Sequence, residues 1–220
     1  MKLDAKTLAV LKNYSQINPS ILFKEGNVLT TISPSRTVLS KAKVPNTFDR
    51  RCAIYELTKL LGGISIAEDP EISFDESAVV IKDKNSVQKI PYAAETAIKT
   101  PPENKHIVLP SVDVSVSVTE EQIKNVVRGA GVYGLPEIAF VGDGDKVYFQ
   151  ALDAKVPNGN TYSIPVGETD KTFRVIFKVE SILKLLPGSY KIDVSSKLMS
   201  HFSNPDIEYW IGVETSSTFG

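Results

Sequence analysis

FDRRCAIYELTKLLGG, residues 48–63, returns 125 residues later as FRVIFKVESILKLLPG, residues 173–188. Phe48 aligns with Phe173, Lys59 with Lys184, Leu60–Leu61 with Leu185–Leu186 and Gly63 with Gly188, without a gap. Each copy reads as a strand that runs into a short amphipathic helix ending at glycine. A duplicated unit of this size predicts a chain made of two copies of one fold. A fold that repeats about an axis suggests a ring.

Composition allows this. At 220 residues the chain has room for two ordinary domains, and 42% hydrophobic with 23% charged residues is normal for a globular protein. The net charge of −1 excludes a globally basic protein but not a basic patch, so placement of charge matters more than its sum. A single cysteine, Cys52, rules out a disulfide framework within the chain and fits a reducing cytoplasm. The opening MKLDAKTLAVLKN lacks an apolar core with a small-residue cleavage site, so no signal peptide is expected. No apolar run approaches the ~18 residues of a membrane span.

Read outward from the repeat, the chain divides into an N-terminal domain over 1–98, an extended Pro-rich linker over 99–110 and a C-terminal domain over 111–220. Four helices are expected: residues 4–14 capped by Asp4, Ile54–Leu61 stopped by Gly62-Gly63, Glu120–Gly129 capped by Thr119, and Lys178–Leu186. The remaining segments read as short strands, among them Thr47–Ala53, Ser86–Tyr92, Thr161–Val166 and Phe173–Phe177. The fold class is therefore α+β, with helices laid on antiparallel sheets.

Projecting the helices at 100° per residue puts Leu8, Leu11 and Tyr14 inside the first, with Lys2, Lys6, Lys12 and Asn13 outside. Ile54, Leu57, Leu60 and Leu61 face inward in the second, and Lys59 faces out. Ile123, Val126 and Val127 are inside the third, and Lys124 and Arg128 outside. Val179, Ile182, Leu183 and Leu186 are inside the fourth, and Lys184 outside. All four helices thus offer a cation to solvent, while acids gather in turns and strand ends. One such lysine is ordinary surface chemistry. Four helices agreeing suggest a positive wall for phosphates.

Catalytic chemistry is not evident. His106 and His201 have no metal-ligand spacing, Cys52 reads as a buried structural thiol, and no phosphate loop, nucleophile elbow or dinucleotide fingerprint occurs. Gly142-Asp143-Gly144-Asp145 reads as a hairpin turn rather than a calcium loop. No enzyme, cofactor or metal is expected.

The chain resembles the DNA polymerase sliding clamps of myovirus-type tailed phages. The resemblance is carried by Met1-Lys2-Leu3, Val10-Leu11-Lys12-Asn13, Ala53-Ile54-Tyr55-Glu56-Leu57 running to Leu61-Gly62, Pro187-Gly188-Ser189-Tyr190-Lys191 and the tail after Val213-Glu214. It extends over essentially the whole chain. It implies a fold related to proliferating-cell nuclear antigen, with two clamp domains per chain and a homotrimeric ring around duplex DNA. A replicative DNA polymerase would be tethered to that ring, and an ATP-driven clamp loader would open it in the cytoplasm of an infected host. Under this resemblance Lys2, Lys6, Lys12, Lys59, Lys124, Arg128 and Lys184 line the DNA channel as mobile cations that read no bases. Ile90 and Tyr92 of one chain would meet Tyr162 and Ile164 of the next at the subunit interface, unless both are plain edge strands guarded by Pro91 and Pro165. Ile107, Val108, Leu109, Trp210 and Ile211 would line a pocket for partner peptides, unless Trp210 is a core residue. The alternative is a non-enzymatic phage structural or assembly protein of similar duplicated design. A small-molecule enzyme with a site between the halves is a further reading that the empty motif search disfavours.

Overall fold

A computed structural model describes residues 1–103 and 107–220, so the expected linker is described only on either side of 104–106, and His106 lies outside the described residues. The chain forms two compact units, Met1–Lys105 and His106–Gly220.

In the first unit Asp4 accepts the Lys6 amide at 2.8 Å and caps α1 (Ala5–Ile17). Val10, Leu11, Tyr14 and Ile17 form its buried stripe. β1 (Ile21–Phe23), β2 (Gly26–Ile32), β3 (Val38–Phe48) and β4 (Cys52–Ile54) follow, then α2 (Leu57–Ile66), β5 (Glu71–Phe74), β6 (Ala78–Lys82) and β7 (Val87–Pro91). Antiparallel ladders join β1 to β4, β2 to β3, and β5 to β6 to β7. Phe23, Phe48 and Phe74 meet in the core at centroid distances of 4.8, 5.3 and 5.6 Å.

The second unit runs β8 (Val114–Val118), α3 (Glu120–Tyr133), β9 (Glu137–Asp143), β10 (Lys146–Leu152), β11 (Tyr162–Glu168), β12 (Thr172–Lys178), α4 (Val179–Ile182), β13 (Tyr190–Ser195), β14 (Met199–Ser203), β15 (Ile207–Gly212) and β16 (Thr218–Phe219). One sheet has the order β11-β10-β9-β12-β16, and β8, β13, β14 and β15 pair in succession. Phe140 stacks on Phe149 at 4.6 Å, and Phe177 meets Phe202 edge-on at 5.5 Å.

The repeat reappears as topology. β9 pairs with β12 as β1 pairs with β4, and β10 with β11 as β2 with β3. The β13-β14-β15 meander answers β5-β6-β7. Even β8 on β13 has a counterpart, since the Met1 carbonyl accepts the Ile72 amide at 2.8 Å. The architecture is thus mixed helix and antiparallel sheet in two like units.

Several expected boundaries differ. The run Thr47–Ala53 is broken between Phe48 and Cys52. α2 starts at Leu57 and passes through Gly62 and Gly63, so those glycines do not stop it. A Cβ on Gly63 would lie 2.7 Å from Gln88 Oε1 and 3.0 Å from Ile81 Cδ1, so its glycine serves close approach. α3 extends to Tyr133 and ends at Gly134 with φ of 64°, and its capping box joins Thr119 to Gln122. α4 is only Val179–Ile182, and Leu183, expected inside, is 57% exposed. The Tyr209 hydroxyl accepts the Leu186 amide at 2.9 Å, and the Tyr190 hydroxyl donates to the Leu186 carbonyl at 2.6 Å. With both of its backbone groups engaged, Leu186 cannot continue the helix. Asn13, expected at the surface of α1, is buried.

Candidate nucleic-acid interface and open sheet edges

Within each unit the two helices pack beside one another: α1 against α2, and α3 against α4. Their solvent faces carry the expected cations in unequal states. Lys12 is exposed on α1, and Arg128 is exposed on α3. Lys59, on α2, pairs with Glu56 one turn earlier, and Lys124, on α3, pairs with Glu120. Both pairs are largely solvated and hold the cations loosely. Lys6 and Lys184 are half-buried, the latter just beyond α4. Lys2 precedes the first helix, and its Nζ donates to Asp69 at 2.6 Å, which raises its pKa. Its charge is matched locally, unlike that of Lys12.

Among the described residues, β7 is a terminal strand paired with β6, and β11 is a terminal strand paired with β10. Gln88 donates from Nε2 to the Gly63 carbonyl at 2.9 Å, so Gln88 and, by alternation, Ile90 lie on the helix-facing side of β7. Tyr162 holds the matching place on β11: a Cβ on Gly129 of α3 would meet its ring at 2.5 Å. Each open edge therefore tucks a side chain against a helical glycine. Ile90, Tyr162 and Ile164 are all half-buried, poised between core and solvent. Tyr92 falls beyond the end of β7 and folds back, its hydroxyl donating to the Asp75 carbonyl at 2.9 Å. Pro91 ends β7, and Pro165 sits opposite Tyr148 where the β10–β11 register shifts, so neither edge offers an unbroken row of donors.

Of the residues expected to line a peptide pocket, Ile211 is 0% exposed and packs in the core. Trp210 alternates onto the opposite face of β15, where its ring stacks on His201 at 4.8 Å, and His201 Nε2 lies 3.0 Å from Glu208. Val108 is 74% exposed, and Ile107 and Leu109 are half-covered.

An ionic cluster was not legible in the sequence, because its members lie far apart along the chain. Arg51 grips Glu95 with two bonds, Nε–Oε1 at 2.8 Å and Nη2–Oε2 at 2.6 Å, and reaches Glu103 at 2.8 Å. Lys24 completes it at 3.1 Å from Glu103. Bonding to Arg51 holds both carboxyls below their ordinary range and raises the guanidinium. Asn18 Nδ2 donates to the Lys99 carbonyl at 3.1 Å, and Lys99 Nζ to the Pro34 carbonyl at 2.9 Å. Residues 93–103 are thereby strapped onto the first unit. Cys52 is buried, and burial pushes its thiol up to about 11, which leaves little thiolate near neutrality.

Among the described residues no cluster of three or more His, Cys, Asp or Glu could hold a metal, and no helix is long and apolar enough to cross a membrane.

A family model described as DNA polymerase processivity factor matches residues 2–99. Over 99% of both chains the sequence is 27% identical to the sliding clamp of Escherichia phage RB69 and 28% identical to that of Enterobacteria phage T4. Among solved structures, PCNA from Thermococcus kodakaraensis superposes with a TM-score of 0.69 at 15% identity, covering 96% of this chain and 98% of that one. A. fulgidus PCNA with the C-terminal region of FEN-1 bound gives 0.68 at 12% identity, with 95% of each chain covered.

Proposed function

We infer that this chain is a sliding clamp of the T4-like phage kind, a DNA polymerase processivity factor. The observation that carries the reading is the end-to-end likeness to phage sliding clamps on a chain whose two units repeat one topology. Such proteins act by topology rather than catalysis, and this chain takes no catalytic role.

The ring is a homotrimer. Two units per chain give six around the duplex when three chains join, with helices toward DNA and sheets outside. Lys12, Lys59, Lys124, Arg128 and Lys184 then face the phosphates, with Lys6 at the margin. Weak, exchangeable contacts of this kind let the duplex pass through. Lys2, whose pair with Asp69 is as solvated as those of Lys59 and Lys124, joins them.

Subunits join by pairing β7 of one chain with β11 of the next. Ile90 and Ile164 would then share the layer beneath the helices, and the prolines keep the ladder short enough for an ATP-driven loader to open. Partner proteins, the replicative polymerase first, dock through short tails, as the FEN-1 tail does on its own clamp. The protein works in the cytoplasm of the infected host.

Light scattering across a wide concentration range tests the ring. A three-chain species is expected, and Ile90→Asp or Ile164→Asp should reduce it to monomers with secondary structure intact. A stable dimer would sink the reading, because four domains are too few to close the ring.

A further inference from the structure

The tail after β15 is a poor strand on a good edge. On its inner side β12 makes a continuous seven-pair ladder with β9, from Thr172↔Asp143 to Lys178↔Glu137. On its outer side it meets only the two-residue β16, as Phe173↔Phe219 and Arg174↔Thr218. Before β16 the tail turns away, the Ser217 amide donating to the Glu214 carbonyl at 3.0 Å. The outward groups of Ile176 are met piecemeal: its carbonyl accepts the Glu214 amide at 2.9 Å, and its amide donates to the Ser217 hydroxyl at 2.8 Å. A side-chain hydroxyl thus stands where a ladder would place a carbonyl. Thr215, Ser216, Thr218 and Gly220 are exposed, and Ser217 and Phe219 are half-covered. Phe219 and Phe173 line one hollow with Asp113, Lys171 and Ser196.

We propose that the outer edge of β12 is a strand-addition site for an extended peptide of another protein, and that the C-terminal tail is its displaceable guard. The occupant's chemistry is read from the guard itself: an extended backbone with an aromatic side chain opposite Phe173. A continuous strand would give Ile176 two regular backbone bonds and lengthen the ladder toward Lys178, which the turned tail cannot do. Backbone bonds supply the affinity and the hollow beside Phe173 supplies the selectivity. The tail is easily displaced, because it is little buried and held by few bonds. It also keeps a flat, apolar-backed edge from recruiting strands at random. This site is separate from β7 and β11 and does not rest on the ring.

The test uses a fluorescent eight-residue synthetic peptide of alternating Thr and Val with one Phe, and a control with a central Pro. Binding by anisotropy is measured to the full chain, to a chain lacking residues 215–220, and to the Ser217→Ala, Phe219→Ser double variant. Removing or loosening the tail should tighten binding at least about 10-fold, the Pro control should not bind, and the peptide should restore slow hydrogen exchange at the Ile176 amide. Equal binding to guarded and unguarded chains, or no binding to a truncated chain with native circular dichroism and native mass, would overturn the proposal.

Discussion

Gly62 and Gly63 are neighbours in α2, yet the space above them differs completely. A Cβ on Gly62 would meet nothing within 4 Å, whereas one on Gly63 would strike Gln88 and Ile81. Gly62→Ala should therefore stabilise the chain by about 0.5–1 kcal/mol through lower unfolded-state entropy. Gly63→Ala forgoes that gain, because its methyl must displace the Gln88 amide and the buried Ile81 Cδ1. Paired thermal melts check this: Gly62→Ala should melt above the parent and Gly63→Ala should not, and an equal rise in both would refute the packing account. The sequence makes these residues look like a helix stop, because glycine serves caps and close approaches alike. Only the neighbouring strand distinguishes the two uses. Asn13 and Leu183 were misplaced for a related reason: helical projection assumes a regular helix with one buried wall. α1 is covered on more than one side, and α4 ends before Leu183.

The elements themselves were largely legible. Asp4, Thr119 and the apolar stripes mark helix positions, and the alternation in the strands marks the meanders. What eluded reading was contact between distant charges, above all the strap of residues 93–103. Arg51 stays charged across the accessible pH range, so the strap titrates through Glu95 and Glu103. Both carboxyls are depressed in the folded chain, so their stabilising contribution is complete above the unfolded value of about 4.3. It fades as pH falls through the still lower folded values. Hydrogen exchange at Ala97 and Ile98, corrected for intrinsic rates, should therefore quicken between pH 6 and pH 3 while the core amides stay protected. In Arg51→Gln it should already be fast at pH 6. A variant as protected as the parent would show that the backbone alone holds the strap. The same dispersal explains why the peptide-pocket residues were hard to choose: Trp210 and Ile211 are adjacent in sequence but occupy opposite faces of β15.

For the whole molecule, the duplication was legible because the two copies kept the same residues where strand meets helix. The charge map was legible only in part, since Lys2, Lys59 and Lys124 turned out to have acidic partners within reach. Reversing Lys12, Lys59 and Lys184 to Glu together should cut loader-dependent primer extension on circular DNA at least about 10-fold, more steeply as salt rises. The native mass should not change; a fall in mass would move these residues from the DNA wall to the subunit contacts. Under the proposed pairing of β7 with β11 of the next chain, both of which are terminal strands of their sheets, the chain is a bivalent building block with unlike ends. Unlike ends that fit one another have no intrinsic stopping number: growth halts only if the turn from one copy to the next brings the last end back to the first. A small change in that angle would spare every contact and still yield open helical polymers, visible by electron microscopy as filaments.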